Sequence, residues 1–70
     1  MKNNDDYVYR IYGKLKTQKK FKPFDAENGV FVTNLMYASM YKRITFFKLV
    51  SEVNFMNKNN PGHIFEIRNI

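Results

Sequence analysis

The spacing of apolar residues in the carboxyl-terminal part of the chain predicts one amphipathic helix followed by one strand. Between positions 46 and 57 the apolar residues recur every three or four positions, which is the spacing of a half-buried helix. These residues are Phe46, Leu49, Val50, Val53 and Met56. From His63 to Ile70 apolar and polar residues alternate, so this segment is predicted to be a strand with Glu66 and Arg68 in water.

The predicted helix has recognisable limits. Thr45 stands at its start, where a threonine hydroxyl can accept a hydrogen bond from a free backbone N–H group. The run from Asn57 to Asn60 favours the left-handed turn that ends many helices, and Pro61 and Gly62 cannot continue one. We therefore expect the helix to end before Pro61.

Two large apolar residues, Ile44 and Phe55, fall near the polar side of this helix. One interpretation is that they cover the edge of the helix or the loop before the strand. The other is that they form an exposed apolar patch for a partner, because such patches mark interaction surfaces. The sequence leaves both interpretations open.

The amino-terminal part of the chain predicts a β-hairpin. Residues 7–15 alternate, and their aromatic and β-branched side chains favour a strand, with Gly13 marking a bulge. A lysine-rich run over residues 14–22 follows and contains the turn. Proline cannot donate to a sheet ladder, so the second strand is expected to end at Pro23 or to lie at an edge.

Residues 30–41 are apolar on both sides. Such a run predicts a strand that is buried on both faces. The alternative is a strand over residues 30–33 followed by a second element over residues 35–41, with a break near Asn34. We favour extended structure in this segment.

Together these elements predict an α+β fold. It consists of a small, mainly antiparallel sheet of three or four strands, in the order β-hairpin, β, α, β, with the amphipathic helix packed on one face. The residues expected to meet the helix are Tyr9, Ile11, Phe31, Leu35, Phe65 and Ile67. A chain of 70 residues makes one domain, which we expect over residues 7–70, and the polar residues 1–6 are expected to be disordered.

Composition bears on stability and on partners. A chain of 70 residues has a marginal core, and without cysteine it forms no disulfide and no thiolate metal site. Dimerisation would enlarge the core, so a homodimer is one alternative. The net charge of +6 is explained either by ordinary solubility or by attraction to nucleic acid or to an acidic protein surface. No apolar run approaches the roughly 20 residues of a membrane span, so we expect a cytoplasmic protein without a membrane partner.

Residues suited to catalysis are scarce in this sequence. His63 is the only histidine, and the three glycines are too far apart to form a phosphate-binding loop. Asp25 and Glu27 lie in a predicted turn, where an aspartate is expected for structural reasons. We therefore expect no enzymatic activity, no metal site and no cofactor.

Three segments carry a resemblance to a known group of proteins: a strand with the core RIY, the segment NLMYA, and the closing strand NPGHIFEIR. The matching residues are Arg10, Tyr12, Asn34, Leu35, Tyr37, Ala38, Asn60, Pro61, Gly62, Phe65, Glu66, Ile67 and Arg68. In these segments the chain resembles small proteins encoded by phages and other mobile elements. The resemblance implies an accessory or anti-defence protein that acts by binding in the cytoplasm of the host cell.

Two binding functions remain from the sequence. The first, which the resemblance favours, is an inhibitor or adaptor that binds a host or defence protein, alone or within a nucleoprotein complex. Its predicted partner-binding residues are Ile44, Phe55, Lys42 and Arg43. The alternative is a nucleic-acid-binding protein, because a basic hairpin can follow a phosphate backbone. Its predicted contacts are Arg10, Lys14, Lys16, Lys19, Lys20 and Lys22.

Overall fold

A computed structural model of the protein describes residues 7–70. In this part of the chain, strands β1 to β5 span, in order, Tyr7–Leu15, Lys22–Asp25, Val30–Phe31, Met40–Lys42 and His63–Asn69. Helix α1 spans Phe46–Asn59, and single-turn 3₁₀ helices at Leu35–Tyr37 and Arg43–Thr45 flank β4. The α+β fold with one helix on a mainly antiparallel sheet is confirmed. The prediction of disorder for residues 1–6 lies outside the described residues.

Strand β1 is the centre of the sheet, and every strand pair is antiparallel. Along one edge β1 pairs with β5, from Tyr9 opposite Asn69 to Leu15 opposite His63. Along its other edge β1 pairs with β4 near its start and with β2 near its end, and β3 lies beyond β2. Helix α1 packs on the face that carries Ile11; the opposite face, with the even-numbered residues of β1 and β5, is called the open face below.

The core lies between α1 and the sheet. Ile11 is completely buried and Leu49 is 1% exposed, and Phe24, Val53 and Phe65 pack around them. Burying a leucine side chain stabilises a fold by about 1.5–3 kcal/mol, so the apolar stripe of the helix is a main source of stability. The predicted stripe is confirmed, whereas the position of Phe24 in the core was not predicted.

The prediction that residues 30–41 form a strand buried on both faces is wrong. Strand β3 ends at Phe31, and the Oδ1 atom of Asn34 accepts a hydrogen bond from the N–H of Met36, 2.9 Å away, which caps a 3₁₀ turn. The break near Asn34 is therefore correct. The large apolar side chains of this segment are 37 to 78% exposed. They are Val30, Phe31, Leu35, Met36, Tyr37 and Met40.

The end of α1 before Pro61 is confirmed, whereas the caps at its two ends differ from the prediction. Thr45 precedes the helix, but its hydroxyl donates to the carbonyl oxygen of Lys42, 2.7 Å away, and caps nothing. The 3₁₀ turn directly before the helix holds Thr45 at ψ 10°, away from the extended conformation of a capping residue. At the other end the helix continues to Asn59, and Asn60 ends it at φ −130° without a left-handed residue.

Two expectations about the hairpin also change. Strand β2 continues through Pro23 to Asp25, because the carbonyl of Pro23 accepts a hydrogen bond from Val32, 3.0 Å away, and the ladder does not need a proline N–H. No bulge lies at Gly13, which is in register with Phe65 of β5 and Lys22 of β2. The register shift of β1 falls between Tyr7 and Tyr9 instead.

The carboxylate of Asp25 organises the turn between β2 and β3. Its Oδ1 atom accepts from the backbone N–H groups of Glu27 at 3.0 Å and Asn28 at 3.3 Å, and its Oδ2 atom accepts from the side chain of Asn28 at 2.7 Å. The side-chain hydrogen bond from Asn28 is the largest cause that lowers the pKa of Asp25 below its ordinary value of 3.8. These hydrogen bonds favour the ionised form against the opposing effect of burial.

We expect the protein to lose stability in acid through Asp25. A carboxyl group whose pKa is lower in the folded state stabilises the fold above the unfolded pKa of 3.8 and loses that effect as the pH falls through the folded value. Urea unfolding between about pH 6 and pH 2 measures this dependence. The matched variant Asp25→Asn should be less stable at neutral pH and should lose less stability on acidification. A variant with the same acid profile as the native chain would show that Asp25 has no such role.

Candidate functional site: an aromatic groove

An open groove of about 770 Å³ lies between α1 and the β2–β3 hairpin, over the start of β5. The side chains that line it come from these three elements. They are Phe24, Ala26, Phe31, Lys48, Ser51, Glu52, Phe55, Met56, Asn60, His63 and Phe65, together with the backbone of Gly29. This volume lies within the range of about 300–1,000 Å³ that is typical of ligand-binding clefts, and the walls are mainly apolar.

The floor of the groove is a cluster of four rings. Phe24 makes edge-to-face contacts with Phe31 and Phe65, at centroid distances of 5.0 and 5.1 Å. Phe31, Phe65 and His63 lie nearly parallel, with centroids 5.8 to 6.1 Å apart. Aromatic pairs at these distances are stabilised by about 0.5–1.5 kcal/mol beyond burial. The floor is therefore formed before any partner binds.

Two neighbours of Phe65 place its ring in this floor. Gly13 lies opposite Phe65 in the sheet, and without a Cβ atom it leaves room for the ring. On the outer edge of β5, the side-chain amide of Asn57 donates to the carbonyl of Phe65 at 3.0 Å and accepts from its N–H at 2.7 Å. Asn57 thus acts as a substitute for a neighbouring strand and holds β5 against α1.

The helix forms the other wall of the groove. Phe55 is 69% exposed and lies beside the half-buried Met56, and Glu52 and Lys48 lie one and two turns earlier on the helix. The exposed side chain of Phe55 does not cover the helix edge, and its contact with a partner stays a prediction. An exposed phenylalanine beside an apolar groove is available for contact with a partner.

The polar side chains of the groove show no catalytic arrangement. Ser51, Glu52 and His63 all line it, yet no hydrogen bond joins any two of them. A serine nucleophile and its general base are expected within hydrogen-bond reach of each other. Between residues 7 and 70 no group of three or more His, Cys, Asp or Glu side chains is placed to hold a metal ion. The ring of His63 forms part of the groove floor. The sequence contained a signal for this position, because His63 and Phe65 are two residues apart on a strand and so share one face.

The predicted partner-binding residues do not form one surface. Ile44 is 88% exposed in the 3₁₀ turn before α1, Arg43 beside it is exposed, and the amine of Lys42 lies 5.3 Å from the ring centre of Tyr7. Phe55 lies about 15 Å further along the helix axis, at the groove. Phe47 of α1 is also 84% exposed, and the sequence did not predict this exposure.

The predicted nucleic-acid contacts also divide between surfaces. Arg10 and Lys14 lie on the open face, whereas Lys22 lies opposite Gly13 on the helix side of the sheet. The remaining three residues are exposed in the loop between β1 and β2. They are Lys16, Lys19 and Lys20. Arg68 was placed in water by the sequence but was not identified as part of the basic surface, although it lies opposite Arg10.

Comparison of the chain with family models, curated proteins and solved structures finds no match. None of the helices between residues 7 and 70 has the length and apolar character that crossing a membrane requires. The groove between α1 and the β2–β3 hairpin is therefore the candidate binding site of the described residues.

Proposed function

We propose that the protein is a non-enzymatic binding protein, and that its aromatic groove accepts an apolar segment of a partner protein. The observation that supports this most directly is the open groove, with its preformed floor of four rings and the exposed side chain of Phe55 at its wall. Binding sites gain most of their affinity from a few aromatic anchors in well-packed pockets. A preformed floor also lowers the conformational entropy that is lost on binding.

The distribution of apolar side chains supports an interaction role. In the described part of the chain, Ile11 and Leu49 are the large side chains buried to below 2% exposure. In contrast, Phe55 on α1 and Ile44 just before it are 69% and 88% exposed. Apolar surface left open on a small domain marks a site of interaction, because water contact with such side chains is unfavourable.

The charges around the groove indicate the chemistry of the partner. In the groove wall Lys48 is the basic residue and Glu52 is the acidic one. Complementary charge steers association and selects the partner. The segment that fits this surface carries apolar side chains together with charged groups that can pair with Lys48 and Glu52. Together with the resemblance described above, this supports a phage or mobile-element accessory protein that binds a host or defence protein in the cytoplasm.

The variant Phe55→Glu is expected to weaken partner binding about 30-fold or more, as is usual when a central aromatic contact is lost. A partner captured from nuclease-treated host lysate and then purified is titrated against both chains by calorimetry. The matched control is Phe47→Glu, which makes the same change at an exposed position of α1 outside the groove. It should bind within about threefold of the native chain, since substitutions away from the site of contact have small effects.

Two results would contradict this proposal. If Phe55→Glu captures and binds the same partner with native affinity, the groove is not the binding site. If light scattering shows a dimer that Phe55→Glu converts to a monomer, the groove is occupied by a second copy of this chain. In that case the surface is a homodimer interface and the proposed partner is wrong.

A further inference from the structure

The open face of the sheet carries a cluster of cations that the groove does not use. Arg10 and Lys14 of β1 and Arg68 of β5 lie on this face, which is opposite to the one that packs on α1. Glu66 is the only acidic residue in β1 and β5, and its carboxylate pairs with Arg68. The three cations therefore exceed the negative charge that β1 and β5 provide.

The two arginines are placed so that they repel each other. Arg10 and Arg68 are directly opposite in the β1–β5 register, and like charges in that position destabilise a sheet. The Nη2 atom of Arg10 lies 3.8 Å from the thioether sulfur of Met40. A thioether sulfur is a weak hydrogen-bond acceptor. The Nε atom of Arg10 is buried and has no hydrogen-bond partner among residues 7–70. An anion bound beside this pair would offset the positive charge of two arginines that share one carboxylate, Glu66.

Aromatic rings lie in the same layer as these cations. The guanidinium carbon of Arg68 is 4.7 Å from the ring centre of Tyr12 and 4.8 Å from that of Phe21. The amine of Lys14 is 5.4 Å from the ring centre of Phe21. Unpaired bases stack on aromatic rings and on guanidinium planes, and phosphates pair with arginine and lysine. The layer thus combines the two kinds of contact that a nucleotide chain makes.

We propose that the open face binds single-stranded nucleic acid, with phosphates at Arg10 and Arg68 and bases on Tyr12 and Phe21. The exposed lysines of the β1–β2 loop extend the same positive surface. They are Lys16, Lys19 and Lys20. A single strand is favoured over a duplex because the bases of a duplex are stacked on each other and do not present their faces. An acidic peptide would pair with the cations but would leave the rings without a stacking partner.

The test measures binding of the full chain to a fluorescein-labelled deoxythymidine oligomer of about 12 nucleotides, by anisotropy at about 150 mM salt. We expect a dissociation constant in the micromolar range. Arg10→Gln and Arg68→Gln should each weaken binding about tenfold and reduce the slope of log affinity against log salt by about one. Phe21→Leu should weaken binding about fivefold with an unchanged slope, because it removes stacking and no charge.

Lys58→Gln is the matched control, since it removes one positive charge from the last turn of α1, away from the open face. It should change the affinity by less than about twofold. The proposal is wrong if the native chain shows no saturable binding or if Lys58→Gln weakens binding as much as Arg68→Gln. Equal affinity for a duplex of the same length would overturn the single-strand assignment. Equal competition by polyglutamate would assign the face to an acidic protein instead. If Arg68→Gln fails to fold, Lys14→Gln provides the same comparison from outside the core.

Discussion

Replacing Gly13 with alanine is expected to lower the melting temperature by about 10 °C, the largest effect that we predict for a single methyl group in this chain. A Cβ atom at position 13 would lie 2.5 Å from Cδ1 and 2.7 Å from Cε1 of the Phe65 ring. That ring has little freedom to move, because it packs edge-to-face on Phe24 and parallel to Phe31. The backbone of Phe65 is held as well, by the side chain of Asn57.

The size of this effect follows from the cost of overpacking. Forcing extra volume into a packed core costs about 1–3 kcal/mol, and a 70-residue domain has about 4–10 kcal/mol of total stability. Thermal unfolding followed by circular dichroism measures the shift. Because the same ring forms the floor of the groove, Gly13→Ala should also weaken partner binding at temperatures where the variant is still folded.

The other two glycines provide controls for this prediction. No atom lies within 4 Å of a Cβ atom built at Gly62, so Gly62→Ala should change stability by less than about 0.5 kcal/mol. Gly29 has a φ of 68°, so Gly29→Ala should cost about 1–2 kcal/mol through backbone strain, although space is available. A melting temperature for Gly13→Ala equal to that of Gly62→Ala would show that the ring of Phe65 does not lie over Gly13.

Replacing Asn57 with alanine is expected to destabilise the fold by about 1–3 kcal/mol, which is the usual cost of leaving buried polar groups without partners. In the antiparallel register, Phe65 lies opposite Gly13, and its N–H and C=O groups point away from β1. The side-chain amide of Asn57 satisfies both groups and covers part of the outer edge of β5. Its removal leaves a strand edge that can pair with another molecule, so the variant should also associate at high concentration.

Urea unfolding and light scattering measure the two consequences of Asn57→Ala. Asn59→Ala is the matched control, because the amide of Asn59 lies two positions further along α1 and donates to the exposed carbonyl of Phe55 at 2.9 Å. We expect Asn59→Ala to change stability by less than about 0.5 kcal/mol and to remain monomeric at the same concentration. If the two variants lose the same free energy of unfolding, the hydrogen bonds of Asn57 to β5 do not stabilise the fold more than an exposed amide does.

Much of the local structure of this chain follows from the period of its apolar residues. The spacing of Leu49 and Val53 identified the buried side of α1, and the alternation of residues 63–70 identified the two faces of β5. These predictions succeeded because a helix and a strand sort side chains onto faces by a fixed period. The burial of residues 30–41 was predicted wrongly, because an apolar run has the same pattern whether a neighbouring element covers it or leaves it exposed.

The candidate sites depend more strongly on long-range contacts. Phe55 was predicted to contact a partner because it departs from the helical stripe, and that signal is local. The ring cluster in the groove floor was not predicted. Its members, Phe24, Phe31, His63 and Phe65, come from three strands and meet only after β2 and β5 have paired with β1 and β3 has paired with β2. Similarly, the lysine-rich run was visible in the sequence, whereas the position of Arg68 opposite Arg10 depends on the register of β1 and β5.

The sequence by itself therefore determined that this protein has one amphipathic helix, alternating strands, a small core and an excess of positive charge. The tertiary structure alone decided that Asn57 covers the edge of β5, that four rings form a groove floor, and that two arginines oppose each other. The physical reason is that the faces of an element are set by neighbouring residues along the chain. The partners of each face are set by strand pairing and packing between segments that are distant in the sequence.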